Sequence, residues 1–295
     1  MESTMDFTIV DVFAQNRYSG NQLAVFRQAE KLTAEEMQAI AREMHFSETT
    51  FILHEQPRGG GYDVRIFTPE REVPFAGHPT LGTAYVIRQE IIQEPVQNVT
   101  LNLGVGPIPV SFDPEDAGGA TWMKQNDPEF GQVIPGEIMS GVLGLDPGEV
   151  DDGYPVQEVS TGLPTIVVPL TGLEALKKAT IVKDRYSELI EDTWAKLILV
   201  FSPEGYRERH DLAVRVFADY YGVPEDPATG SGNGCLAGYL VQHAYWGRDS
   251  LDIKVGQGFE INRPSLILLK AARAGQRIDV WVGGKVIKIA QGRLV

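Results

Sequence analysis

The apolar residues of this chain fall into short runs of two kinds. Thr49-Thr-Phe-Ile-Leu53, Leu197-Ile-Leu-Val-Phe201, Val99-Thr-Leu-Asn-Leu103, Ile108-Pro-Val-Ser-Phe112, Ser265-Leu-Ile-Leu-Leu269 and Ile278-Asp-Val-Trp-Val282 are strand-length and either β-rich or alternating. Thr33 to His45 and Lys183 to Thr193 read as helices, and Thr33-Ala-Glu-Glu36 has the spacing of a capping box. Two further apolar segments of helical length follow small-residue loops. One is Pro74-Phe-Ala-Gly-His-Pro-Thr-Leu-Gly-Thr-Ala-Tyr85 and the other is Thr229-Gly-Ser-Gly-Asn-Gly-Cys-Leu-Ala-Gly-Tyr-Leu240. No apolar run approaches the ~20 residues that a membrane-spanning helix needs.

These elements repeat. Val64-Arg-Ile-Phe67 recurs as Val214-Arg-Val-Phe217, and each copy leads into one of the two glycine loops. Upstream, Ser19-Gly-Asn-Gln-Leu-Ala-Val-Phe26 resembles Thr161-Gly-Leu-Pro-Thr-Ile-Val-Val168, and each is followed by a helix and then a strand. Four elements in one order point to an internal duplication. Pairing Gly77 with Gly232 sets His78 against Asn233 and Leu81 against Leu236. The pattern predicts two related halves, 1–128 and 129–295, joined by a turn-rich linker near Asn126-Asp-Pro-Glu-Phe-Gly131. It leaves open whether the end of the chain crosses back onto the first half. Equivalent loops of such a pair are expected to share a cleft, where ligands usually bind. The alternative is two copies of a common strand–loop–helix unit with no shared site.

A chain of 295 residues with 43% hydrophobic content can bury the cores of two domains. The formal net charge of −14 offers no basic surface for nucleic acid or for an anionic membrane. An anionic substrate would need a locally built site. The single Cys235 forms no intrachain disulfide, and the N-terminus is neither basic nor apolar, so a cytoplasmic protein is expected. Five scattered histidines and one cysteine predict no metal site. Gly230-Ser-Gly-Asn-Gly234 lacks both nucleotide-loop spacings, so no cofactor is expected.

The chemistry then concentrates in a few residues. The unpaired amides at two helix starts, near Gly77 and Gly232, suit a small carboxylate without any Lys or Arg. Alternatively, the glycines serve only tight turns and close packing. Glu48, at a helix-to-strand entry, has no carboxylate twin near Lys196 or Leu197. In an apolar cleft it would exchange protons near neutral pH; otherwise it is an exposed helix-end glutamate. His78 reads as a neutral donor at a helix N-terminus or as a loop cap. Asp226, in Glu225-Asp-Pro-Ala-Thr-Gly-Ser231, is a site carboxylate or a turn residue. Ser231 contacts substrate or caps the second helix, and Cys235 reads as core.

Taken together, Asp11-Val-Phe, Ser19-Gly-Asn-Gln-Leu-Ala-Val, Ser47-Glu-Thr-Thr-Phe, Phe67-Thr-Pro, Val73-Pro-Phe-Ala-Gly-His-Pro-Thr-Leu-Gly and Glu225-Asp-Pro-Ala-Thr-Gly-Ser resemble the PhzF family of phenazine-biosynthesis isomerase-like proteins. Gly256-Gln-Gly, Arg263-Pro-Ser and Val282-Gly-Gly look like its later motifs, so the resemblance runs from about Asp6 to the C-terminus. It implies an α+β fold like diaminopimelate epimerase: two pseudo-symmetric domains, each a β-barrel-like sheet around a central helix. It further implies a cofactor-independent isomerase, a small carboxylated substrate and a homodimer. The family's characterised isomerase moves a hydrogen within dihydro-3-hydroxyanthranilate. Its proton-shuttling glutamate maps onto Glu48, its G-H-P histidine onto His78, and its E-D-P-x-T-G-S aspartate and serine onto Asp226 and Ser231. The amides of Gly77 and Gly232 correspond to those near the substrate carboxylate. The related two-cysteine epimerases carry cysteine where this chain has Ala76 and Ser231, which disfavours a cysteine-pair racemase. An isomerase working through Glu48, a racemase of an amino-acid-like acid, and a non-catalytic small-molecule binder are the three readings that stand.

Overall fold

The computed structural model describes residues 5–114 and 119–295. The first repeat runs β1 (Met5–Val12), β2 (Asn21–Phe26), α1 (Ala34–Met44), β3 (Glu48–Ile52), β4 (Tyr62–Phe67), the short β5 (Glu72–Val73), α2 (Gly77–Val86), β6 (Asn98–Leu103), β7 (Gly106–Phe112) and β8 (Thr121–Lys124). Next come β9 (Glu129–Ile134) and α3 (Gly136–Val142). The second repeat follows as β10 (Val156–Ser160), β11 (Thr165–Pro169), α4 (Leu173–Lys178), α5 (Lys183–Glu191), β12 (Leu197–Ser202), β13 (Leu212–Ala218), β14 (Val223–Asp226), α6 (Gly230–Gln242), β15 (Ser250–Gln257), β16 (Ser265–Ala274) and β17 (Arg277–Gly284). The chain ends in β18 (Val286–Leu294).

The chain divides into two compact units, Met1–Met123 with Gly283–Val295, and Lys124–Val282. In the first, β1 pairs antiparallel with β2, β2 parallel with β3, β3 antiparallel with β4, and β4 parallel with β6. In the second, β10, β11, β12, β13 and β15 repeat that order of antiparallel and parallel neighbours. The end of the chain returns to the first unit, where β18 covers the outer edge of β1 from Met5↔Leu294 to Val12↔Val286. In the second unit β9 covers β10 in the same way. The expected linker therefore shortens: Glu129 and Phe130 are not turn residues but strand residues, opposite Ser160 and Val159. Pairing with β10 satisfies backbone groups that the local turn signals of the sequence do not address.

The duplication holds residue by residue. Leu23 faces Glu48 across β2 and β3, and Thr165 faces Leu197 across β11 and β12. Thr49 faces Phe67 as Ile198 faces Phe217. Ile66 faces Val73 as Val216 faces Asp226. Tyr62 faces Leu101 as Leu212 faces Val255, which sets Leu103 against Gln257. Each central helix begins on a glycine, Gly77 and Gly230. One residue in the first turn then bonds back to the residue before that glycine. Thr80 Oγ1 donates to the Ala76 carbonyl at 2.7 Å, and Asn233 Nδ2 donates to the Thr229 carbonyl at 3.0 Å.

The glycine pairing expected from sequence is corrected by this register: Gly77 matches Gly230, not Gly232, and His78 matches Ser231, not Asn233. The segment Gly230–Gly234 is the opening of α6 itself rather than a loop before it. The glycines of α6 mislead an alignment because two of them, Gly234 and Gly238, have packing duties of their own. A Cβ on Gly234 would lie 2.9 Å from Thr161 Oγ1, and one on Gly238 would lie 2.6 Å from Pro128 Cγ.

Local physics explains the elements around the site. Thr33 accepts from the Glu36 amide at 3.2 Å and Glu36 accepts from the Thr33 amide at 2.8 Å, so the capping box of α1 is closed in both directions. In α2, His78 through Ala84 are all buried, as suits a helix that is apolar on every side and forms a unit's core. It lies against β1, β2, β3 and β6. Thr50 and Thr83 satisfy each other across that contact at 2.8 Å, whereas the hydroxyl of the neighbouring buried Thr49 has no hydrogen-bond partner.

Candidate functional site

In the first unit the start of β3 and the start of α2 meet. Glu48 is the first residue of its strand and His78 the second of its helix. His78 Nε2 lies 3.5 Å from Glu48 Oε2, with 6% of the imidazole and 19% of the glutamate side chain exposed. Burial pushes the imidazole down to about 3, although a hydrogen bond to the Gln22 backbone works the other way. The ring is therefore neutral at physiological pH, and its contact with Glu48 is not an ion pair. The amides of Gly77 and His78 belong to the first turn of α2, where no intrahelical partner exists. A partly open carboxyl group, a neutral imidazole and amides without an intrahelical partner thus share one helix end.

In the second unit the corresponding corner carries different chemistry. Leu197, buried, stands where Glu48 stands, and Ser231 stands where His78 stands. Thr229, not Ser231, is the residue before the first helical position, so Ser231 does not cap the helix. Gly232 is the third helical residue, and its amide also lacks an intrahelical partner. Asp226 closes β14, and its carboxylate accepts a hydrogen bond from the Thr229 hydroxyl. Cys235 is buried against Thr161 and the Leu163 carbonyl, and burial pushes its thiol up, which marks it as core.

Each loop that precedes a central helix is anchored by the same strut. Arg65 Nε and Nη2 donate to the two oxygens of Glu72 at 2.7 and 2.6 Å. Arg215 Nε and Nη2 donate to those of Glu225 at 3.1 and 2.8 Å. Bidentate geometry of this kind fixes direction as well as distance. The arginine of the repeated Val-Arg-Ile/Val-Phe motif thus holds the strand that delivers the helix start.

The sequence reading missed three residues around Asp226. Gln257 and Asn233 are fully buried, and Thr229 is nearly so. Gln257 Nε2 donates to the Asp226 carbonyl at 2.8 Å and to Thr229 Oγ1 at 3.1 Å. Its Oε1 accepts from the Thr229 amide at 3.3 Å and from Asn233 Nδ2 at 2.8 Å. The signal was in the sequence: Gln257 ends a strand whose neighbouring inward positions are Ile253 and Val255, and a glutamine in that row needs a polar partner. Among the described residues no group of three or more His, Cys, Asp and Glu side chains is arranged to hold a metal ion, and no helix is long and apolar enough to cross a membrane.

The duplicated architecture has known counterparts. A hydroxyproline epimerase from Agrobacterium vitis matches 99% of this chain and 91% of its own with a TM-score of 0.61 at 11% identity, a likeness of fold alone. The fold is thus of the diaminopimelate epimerase-like α+β class, with two pseudo-symmetric domains around central helices. The sequence profile of the phenazine biosynthesis-like PhzC-PhzF proteins matches residues 10–292. A trans-2,3-dihydro-3-hydroxyanthranilate isomerase from Pseudomonas aeruginosa is 34% identical over 97% of this chain and 98% of its own length. A phenazine biosynthesis protein of the PhzF family from Bacillus anthracis superposes with a TM-score of 0.90 at 26% identity, covering 99% of both chains. The chain belongs to the PhzF family, and it is an isomerase.

Proposed function

We propose that the protein is a cofactor-independent isomerase that moves a proton between carbon positions of a small carboxylated substrate, with Glu48 as the shuttle. In this reading Glu48 takes a proton from a carbon beside an activating group, exchanges it with solvent through its partly exposed carboxyl, and delivers a proton elsewhere on the same molecule. His78, held neutral with its one N–H given to the Gln22 backbone, accepts at Nε2 from the protonated Glu48 carboxyl or from a substrate hydroxyl and so orients it. The amide of Gly77 takes up the substrate carboxylate, assisted by local helix charge. Asp226 orients a substrate amino or hydroxyl group in the same reading, and Ser231 and the Gly232 amide are assigned to substrate contacts. General acid–base catalysis of this kind contributes ~10²–10⁴-fold, and positioning contributes more.

The observation that carries the reading is the 3.5 Å approach of Glu48 to a buried imidazole that cannot itself ionise at neutral pH. One base then does the work of both steps. The register supports this over a racemase, which needs a base on each face of the carbon, because the symmetry mate of Glu48 is Leu197. The cytoplasmic setting and the homodimer belong to the same proposal.

The relative that acts on trans-2,3-dihydro-3-hydroxyanthranilate makes that compound the first probe. The test is incubation in D₂O with it and with a panel of small unsaturated carboxylic acids, read by NMR. Isomerisation of at least one acid, with deuterium entering at carbon, is expected. Acids that raise the melting temperature while none is turned over would contradict the reading.

A further inference from the structure

The two repeats differ at one more cluster, and the difference is all-polar against mostly apolar. Asp226, Thr229, Asn233 and Gln257 in the second unit correspond to Val73, Ala76, Thr80 and Leu103 in the first. The scaffold thus folds around this corner with a valine, an alanine and a leucine. Burying a glutamine where the first unit has a leucine costs stability unless its polar atoms are satisfied, and Asn233, the twin of Thr80, leaves its own Oδ1 without a hydrogen-bond partner. Gln257 meets that demand with four hydrogen bonds and spans the whole segment from Asp226 to Asn233. Its contacts have a direction. Because Gln257 Nε2 donates to Thr229 Oγ1, the hydroxyl hydrogen of Thr229 is left to point at Asp226, whose carboxylate accepts it.

We propose that Gln257 and Thr229 form a positioning relay for the isomerase reaction: Gln257 turns the Thr229 hydroxyl toward Asp226, and that hydroxyl locks the carboxylate in the orientation that meets substrate. The inference rests on the reading of Asp226 as a substrate-orienting group. Asn233 braces the relay from the helix side by donating to Gln257 and to the Thr229 carbonyl. Neither Gln257 nor Thr229 touches the reacting atoms in this account. Displacing an orienting group by an ångström is enough to cost about 10²-fold in turnover.

The internal twin supplies the variants. Thr229→Ala and Gln257→Leu install the side chains that the first unit carries, and Thr229→Ser keeps the hydroxyl. Two readouts are taken: kcat and KM with trans-2,3-dihydro-3-hydroxyanthranilate as probe, and the ¹³C signal of the Asp226 carboxyl carbon, assigned by its loss in Asp226→Asn. In Thr229→Ala and Gln257→Leu, kcat is expected to fall by about 10²-fold with KM little changed. The Asp226 signal should move in both, and Thr229→Ser should restore both readouts. A loss confined to KM, a loss that Thr229→Ser does not restore, or an unmoved Asp226 signal in Thr229→Ala overturns the relay. If Asp226→Asn keeps wild-type turnover, the substrate role of Asp226 is what fails. The carbon signal alone then decides the relay, which stands if Thr229→Ala and Gln257→Leu shift it and Thr229→Ser does not.

Discussion

His78 Nε2 sits 3.5 Å from Glu48 Oε2 at the start of a buried helix, and burial holds the ring neutral down to about pH 3. An unfolded chain would protonate the same residue near its ordinary value of 6.5. Between those limits the unfolded state binds a proton that the native state does not, so stability is full above pH 6.5 and falls as the pH drops toward 3. The contribution of this one group is about 1.4 kcal/mol per pH unit inside the window. Burial pushes His210 and His243 in the same direction, so the wild-type slope has several sources. Denaturant titrations of the wild type and His78→Gln at a series of pH values isolate the His78 share as the difference in slope. The variant should lose stability less steeply on acidification; parallel slopes would contradict the neutral assignment.

The two arginine struts share a geometry and differ in setting, which predicts unequal costs. Arg65 and Glu72 keep 29% and 42% of their side chains exposed, whereas Arg215 and Glu225 keep 9% and 8%. Arg215 also donates to the carbonyls of Leu176, Lys177 and Ala179 at the end of α4. Arg65→Ala should cost about 0–1 kcal/mol, as exposed pairs do. Arg215→Ala strands a buried glutamate and several carbonyls and should cost about 3–5 kcal/mol. Denaturant midpoints of the two variants give the comparison.

Helix α2 reaches its strands through Gly82. A Cβ there would stand 2.6 Å from Leu23 Cδ2 and 2.9 Å from Val12 Cγ2. Gly82→Ala gains helix propensity but overfills the core, and the second effect is larger, at about 1–3 kcal/mol against about 1 kcal/mol. A net loss of thermal stability is expected in a melting curve. Because α2 carries His78, turnover should fall with it.

Much of the fold could be read from the chain. The capping box placed α1 within a residue at each end, and the repeated Val-Arg-Ile/Val-Phe motif located β4 and β13. What failed was the register at the second glycine cluster. The alignment matched glycine to glycine, but α6 uses Gly234 and Gly238 for close packing, and the true markers were Glu72 and Glu225 with their arginines. The return of β18 to β1 was undecidable from sequence because pairing across some 280 residues leaves no local pattern. Among candidate residues, Glu48 and His78 were legible through short motifs. Gln257 was not singled out, because its importance lies in four partners spread along another segment. The first unit folds with Leu103 at the matching position, so the fold alone does not demand a glutamine there.

Deuterium transfer from solvent to substrate carbon is the direct measure of a single glutamate shuttle. With an acid that the wild type isomerises, turnover in D₂O should place deuterium at the receiving carbon. Glu48→Gln, which keeps the shape and removes the exchangeable carboxyl proton, should abolish both turnover and incorporation while leaving the melting temperature close to that of the wild type. Continued isomerisation with deuterium uptake in Glu48→Gln would contradict the assignment of the proton to this side chain.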